Sequence, residues 1–183
     1  MAETPSSALP AGTAAVDFTL PDTRTNLPIS LSDYAGQPLV IAFICNHCPF
    51  VVHVLDDFVS MTHEVAEKGV ATIAISANDI AKYPQDGPVK MAELAADKGF
   101  DFPYCFDEAQ SVAKAYDAAC TPEFYLYDAD HRLFYHGRYD DTRPGSGGSA
   151  NGEDLRGAIA ALLAGEAPPT EPRPSIGCNI KWH

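Results

Sequence analysis

Two hydrophobic periods divide this chain. Pro38–Ile44 (PLVIAFI) is a continuous apolar run of strand length, and Val70–Ser76 (VATIAIS) reads as another buried strand. Such runs fit strands covered on both faces. Between them, Phe50–Lys68 places Val51, Val54, Leu55, Phe58 and Met61 near one helical face, and Gly69 stops it. Upstream, Asp17–Leu20 and Pro28–Leu31 read as two short strands around a polar turn, followed by a helical turn that ends at Gly36. Downstream, the pattern predicts a helix over Val89–Lys98, a short strand over Phe102–Phe106 and a helix over Glu108–Ala118. Two aromatic-rich strands, Glu123–Asp128 and Arg132–Arg138, follow, then a helix over Glu153–Leu163 that Gly165 closes. Strands alternating with helices, then a hairpin and a last helix, predict an α/β sandwich with a mixed sheet.

The flanks differ from this body. Residues 1–14 are small, polar and proline-containing and read as a flexible N-terminal arm. Residues 15–165 form one domain, and residues 166–183 a Pro-rich tail that packs on it through Ile176–Trp182. A length of 183 residues suits one domain. The 46% hydrophobic and 20% charged fractions are those of a globular chain, which excludes wholesale disorder. A formal charge of −13 repels phosphate backbones and anionic lipid, so neither nucleic acid nor a membrane surface is an expected partner. The first residues carry no basic start and no apolar segment, so a cytoplasmic, thiol-reducing location is expected.

That setting changes how the cysteines read. Five is an odd number, and close cysteines in a reducing compartment point to redox or metal chemistry rather than to structural cross-links. Cys45-Asn-His-Cys48-Pro49 stands where the first buried strand gives way to the first helix. Unpaired first-turn amides there stabilise a thiolate, and Pro49 suits the opening turn. His47 between the thiols can add positive charge or move a proton. The same residues allow a metal-binding or redox-sensing module: Cys45, His47 and Cys48, with Cys120 or Cys178 as fourth ligand, would suit a soft ion. A structural zinc site usually shows a second close ligand pair, and none is visible. Cys120-Thr121-Pro122 is the second signal, because a proline directly before an internal strand needs a reason such as a cis peptide.

Together these features resemble the thioredoxin fold, in which a C-x-x-C at a helix start faces a cis-proline loop. More narrowly, FTLPD…ISLSDYAGQPLVIAFIC resembles the opening of the alkyl hydroperoxide reductase/thiol-specific antioxidant (redoxin) group. CNHCPFVVH, SANDIAKYPQDGP, AKAYDAACTPEFYLYD and PSIGCNIKW resemble a peroxiredoxin-like or thioredoxin-like branch of it. The resemblance implies a central mixed sheet flanked by helices, with the first two strands as an N-terminal hairpin extension. It implies a thiol–disulfide oxidoreductase in which Cys45 is the nucleophile and Cys48 the resolving thiol. Thr121 and Pro122 would shape the groove for an extended substrate, with His47 and Pro49 in support. No organic cofactor is called for. A disulfide-containing protein or a small thiol or peroxide would be the substrate, a thioredoxin-type reductant the partner, and a homodimer the expected assembly.

The alternative within the family is a thiol peroxidase, since Cys48-Pro49 resembles the Cys-Pro of peroxiredoxins. Those proteins carry a threonine three residues earlier, where this chain has Cys45, and a distant arginine that only Arg138 or Arg143 could supply. Cys120 and Cys178 are candidate additional thiols, the latter if the tail folds back. Cys105 reads as core, His53 as a charge-tuning or solvent-facing residue, and His63, His131, His136 and His183 as structural.

Overall fold

The computed structural model describes residues 3–183. In chain order the strands and helices are β1 (Glu3–Pro5), β2 (Thr19–Pro21), β3 (Pro28–Ser30), β4 (Leu39–Phe43), α1 (Pro49–Ala66), β5 (Ala71–Ser76), α2 (Pro88–Lys98), β6 (Tyr104–Phe106), α3 (Ser111–Ala115), β7 (Cys120–Thr121), β8 (Glu123–Tyr127), β9 (Leu133–Gly137), α4 (Glu153–Leu163) and β10 (Ile176–Asn179). Single 3-10 turns at Leu31–Tyr34 and Pro84–Asp86 complete the set.

The main sheet runs β6-β5-β4-β8-β9. β4 lies at its centre, parallel to β5 and antiparallel to β8. Its continuous apolar run is explained by this position. Val40 and Ala42 face the core shared with α1, α2 and α4, where Phe58, Met91 and Leu155 pack. Leu39, Ile41 and Phe43 face the opposite core, closed by Val112 and Tyr116 and by Phe18 and Leu20. Each such side chain, fully buried, contributes about 1.5–3 kcal/mol. The sheet is therefore anchored on both faces, and its central strand delivers the chain rigidly to the Cys45–Pro49 turn. The predicted mixed sheet with flanking helices and an N-terminal hairpin, β2 with β3, is what the chain forms.

Two features depart from the sequence reading, and a third, the tail expected to pack on the domain, does so as a strand. The N-terminal arm is bound rather than loose: β1 pairs antiparallel with β10, the Ser6 amide donates to the Ser175 carbonyl at 2.8 Å, and the Gly12 amide donates to the Leu133 carbonyl at 2.8 Å. Backbone ladders hold it, which composition does not register; Met1 and Ala2 lie outside the described residues. The helix expected over 108–118 shortens to α3. Gln110 takes a left-handed φ of 60° and Asp117 one of 54°, and these close its two ends. Finally, the C-terminal tail is an integral strand. β10 runs between β1 and β7 in a second, three-stranded sheet beside the cysteine turn.

Candidate active site

The turn leaving β4 places Cys45 just after Ile44 and Cys48 at the N-cap of α1, with Pro49 at the first helical position. Proline costs nothing there, and it fixes where the helix starts. Cys48 Sγ lies 2.7 Å from Cys178 Sγ and 3.2 Å from the Thr121 carbonyl oxygen. Cys45 Sγ lies 3.4 Å from Thr121 Oγ1. All three thiols are buried: Cys45, Cys48 and Cys178 are 1%, 0% and 3% exposed.

Their proton affinities diverge. The Cys45 thiol donates to Cys48 and, against the cost of burial, lowers the Cys48 pKa to about 5; the Cys178 thiol and the amides of Val51 and Cys178 lower it further. The same hydrogen bond holds the proton on Cys45, whose pKa rises far above that of a free thiol, with burial and the nearby Asp86 charge adding to the effect. Burial, then the hydrogen bond to Cys48 and its charge, push Cys178 up to about 12. Of the three thiols, Cys48 is thus the one whose ionisation the site favours, flanked by Cys45 and Cys178, whose values are raised, and by the Thr121 carbonyl oxygen, which accepts from it.

His47 sits on a second cluster that the sequence did not announce. Its Nδ1 lies 2.5 Å from Oδ2 of Asp86, a fully buried carboxylate. Asp86 also accepts from the Asn46 amide at 2.8 Å, the His47 amide at 3.3 Å and Asn78 Nδ2 at 2.9 Å. The His47 ring stacks on Tyr83 at 5.2 Å, and Lys181 Nζ lies 5.6 Å from the centroid of the same Tyr83 ring. One carboxylate in the 78–88 loop therefore fixes the backbone between the two cysteines. Cys45, His47 and Asp86 offer ligand atoms within 4.8 Å of one another. The trio could hold a metal ion, at the cost of the His47–Asp86 hydrogen bond. The four-ligand set expected from sequence would instead draw on Cys48 and on Cys120 or Cys178.

Thr121–Pro122 is a cis peptide, opposite the cysteine turn. The strip expected to receive an extended substrate is already filled. β10 pairs with β7 there, Cys178 opposite Thr121 and Asn179 opposite Cys120. Gly177 permits the close approach, because a Cβ at that position would collide with the Thr121 carbonyl.

The remaining candidates separate cleanly. Cys120 turns away from Cys48 toward Glu123, its Sγ 3.6 Å from Oε2. Buried Glu123 also binds His136 Nε2 at 2.7 Å and the Tyr125 hydroxyl at 2.8 Å, so His136 is tied into a core network. Cys105 is in the opposite core, with its pKa pushed up to about 12 chiefly by burial. His131 Nε2 lies 2.9 Å from the Tyr34 carbonyl oxygen, and His63 and His183 lie near Asp101 and Asp79. His53 Nε2 meets Thr142 Oγ1 at 2.8 Å on the wall of a cleft of about 280 Å³ that no cysteine lines. Phe50, Pro122 and Ile176 also line this cleft, as do Arg138 and Arg143. Both arginines are engaged by acids, Arg138 by Asp154 and Arg143 by Glu3, and not by Cys48.

A central mixed sheet that leads into a cysteine-bearing helix cap, opposite a cis-proline loop, defines a thioredoxin-like protein. Residues 11–136 match the AhpC/TSA family, and the chain belongs to it. Two solved structures share nearly its whole length. An uncharacterized conserved protein from Geobacillus kaustophilus is 44% identical over 100% of this chain and 97% of its own, with a TM-score of 0.97. A hypothetical protein from Sinorhizobium meliloti 1021 is 44% identical over 98% of each, with a TM-score of 0.95. The fold is also that of the peroxidoxin BcpB from Mycobacterium tuberculosis, at 22% identity over 84% of this chain and 96% of that one, with a TM-score of 0.63. No curated protein matches the chain.

Proposed function

We propose that this protein is a thiol–disulfide oxidoreductase whose reacting sulfur is the Cys48 thiolate. The observation that carries the reading is the position of Cys48 at the N-cap of α1, 2.7 Å from a second thiol and with its pKa lowered to about 5. A low-pKa thiolate is present at neutral pH and is the species that attacks disulfides. Cys45 is the donor that holds that charge, a different role from the attacking one expected from the family resemblance. In the forward step Cys48 sulfur attacks one sulfur of a disulfide and releases the other as a thiolate. A second thiol of the protein then attacks Cys48 and releases the remaining half. A dithiol reductant of thioredoxin type restores the starting state.

The test is stopped-flow oxidation of the fully reduced protein by excess 2-hydroxyethyl disulfide, followed by thiol alkylation and mass spectrometry. Cys48→Ser is expected to abolish protein oxidation, and Cys45→Ala to shift the pH dependence of its rate upward by about one to two units. Oxidation of the Cys48→Ser variant at the wild-type rate would overturn the assignment.

A second reading rests on burial. A sulfur with no exposed surface favours small oxidants, and hydroperoxides are the smallest of the class. Cys48 thiolate would attack the peroxide oxygen, become a sulfenic acid and release the alkoxide, which takes up a proton; a second thiol would then form a disulfide and release water. Consumption of hydrogen peroxide orders of magnitude faster than by a free thiol would select this reading.

A further inference from the structure

We infer that Cys178 is the thiol that closes a disulfide with Cys48, and that the C-terminal strand β10 stands permanently where an extended substrate would pair. The inference rests on the Cys48 role proposed above and adds its partner. Two thiols compete for Cys48: Cys45 from the same turn and Cys178 from the far end of the chain.

Three observations favour Cys178. Its sulfur is 2.7 Å from Cys48 Sγ, so a bond of about 2.05 Å forms with a shift of roughly 0.7 Å. Its strand is held in register on both edges, Cys178 opposite Thr121 of β7 and opposite Glu3 of β1. Gly177 lets the backbone lie against the Thr121 carbonyl, at a distance that no side chain would allow. Cys45, by contrast, donates to Cys48 from within the same turn, and its Sγ also meets the Thr121 hydroxyl at 3.4 Å.

A disulfide exchange enzyme holds its substrate cysteine beside the reactive thiolate at the moment of exchange. Here the protein's own strand supplies that cysteine. With the loop's edge occupied by β10 and the outer edge of β10 occupied by β1, no free ladder remains there for a peptide. The substrate class that follows is a small disulfide or hydroperoxide, and not an extended polypeptide.

The chemistry balances with a small disulfide RSSR as oxidant. Cys48 thiolate attacks one sulfur of RSSR, the S–S bond breaks, and RS⁻ leaves. RS⁻ takes the proton from the Cys178 thiol. The Cys178 thiolate attacks Cys48 sulfur, the Cys48–SR bond breaks, and a second RS⁻ leaves to be protonated by solvent. Two protein thiols are oxidised and one RSSR is reduced to two thiols.

The experiment treats the reduced full chain with 2-hydroxyethyl disulfide, blocks free thiols by alkylation, and maps the tryptic peptides without reduction. Cys45 and Cys48 share the peptide 25–68, and Cys178 lies in 157–181. The expected product is a covalent link between those two peptides, and it persists in Cys45→Ser, where about two thiols per chain are still released. Cys45→Ser/Cys178→Ser is expected to stop at a Cys48 mixed disulfide with about one thiol released. A bond inside 25–68 with Cys178 fully alkylated would overturn the inference and leave the Cys48 assignment standing. No oxidation of Cys48 under either oxidant class would overturn both. Release of one thiol only by Cys45→Ser would also overturn it, because Cys45 would then be the closing thiol.

Discussion

If the Cys45 thiol is the chief stabiliser of the Cys48 thiolate, its removal raises the Cys48 pKa by a calculable amount. The Cys48 value of about 5 is set first by the hydrogen bond from Cys45, with Cys178 and two amides contributing less. A hydrogen bond to a charged group contributes roughly 1.5–3 kcal/mol, which is about one to two pKa units. Cys45→Ala should therefore move the midpoint from about 5 to roughly 6–7. Cys45→Ser keeps a donor and should fall between the two. The assay is thiolate absorbance at 240 nm across pH 4–9, in reduced protein. The background is clean, because Cys105 and Cys178 are held near 12 and Cys120 is also pushed up, chiefly by burial. An unchanged midpoint in Cys45→Ala would refute the donor role. A wild-type midpoint at or above that of a free thiol, or one that survives in Cys48→Ala, would refute the placement of the charge.

Two further outcomes follow from the same geometry. A folded pKa below the unfolded value means that the unfolded chain binds more protons, so stability rises with pH between about 5 and 9 and is lost as pH falls through about 5. The unfolding free energy of the reduced protein, from urea titrations, should climb across that window by at most about 1.4 kcal/mol per pH unit, and a Cys48→Ala variant should lose that share of the slope; parallel curves would refute it. Gly177→Ala should cost about 1–3 kcal/mol by driving a methyl into the Thr121 backbone, a Tm loss of roughly 3–10 °C. Gly157→Ala, on the open face of α4, should be neutral or stabilising, and equal melting losses in the two variants would sink the argument.

The sequence carries the main sheet because each of its long strands declares itself locally. β4 and β5 are apolar on both faces, and α4 begins and ends at glycines that the chain shows in advance. It does not carry the second sheet. β1, β7 and β10 have three, two and four residues, too few to show a period, and their pairing joins residue 3 to residue 178. Asp86 was equally silent, a lone acid in a polar loop whose role depends on burial against Asn46, His47 and Asn78. The cap was legible: Pro49 at the first helical position makes Cys48 the N-cap residue, and the C-x-x-C pattern drew attention to Cys45 instead.

The three thiols differ because three separate parts of the fold deliver them. β4 carries Cys45 to the edge of the core, where burial and the Asp86 charge oppose ionisation. The start of α1 carries Cys48 to the helix N-cap, where the first-turn amides have no intrahelical partners and the Val51 amide helps to lower its pKa. β10 brings Cys178 against Cys48 through a ladder that joins the two ends of the described chain, β1 on β10 and β10 on β7. A charge favoured on the middle sulfur suits the attacking step of thiol exchange, which a thiolate carries out, while either neighbour must give up its proton before it can resolve the mixed disulfide. Loss of the tail strand would therefore remove a reactant along with a piece of the scaffold: Cys48 would keep its Cys45 donor and its helix cap, and would lose the sulfur that lies nearest to it.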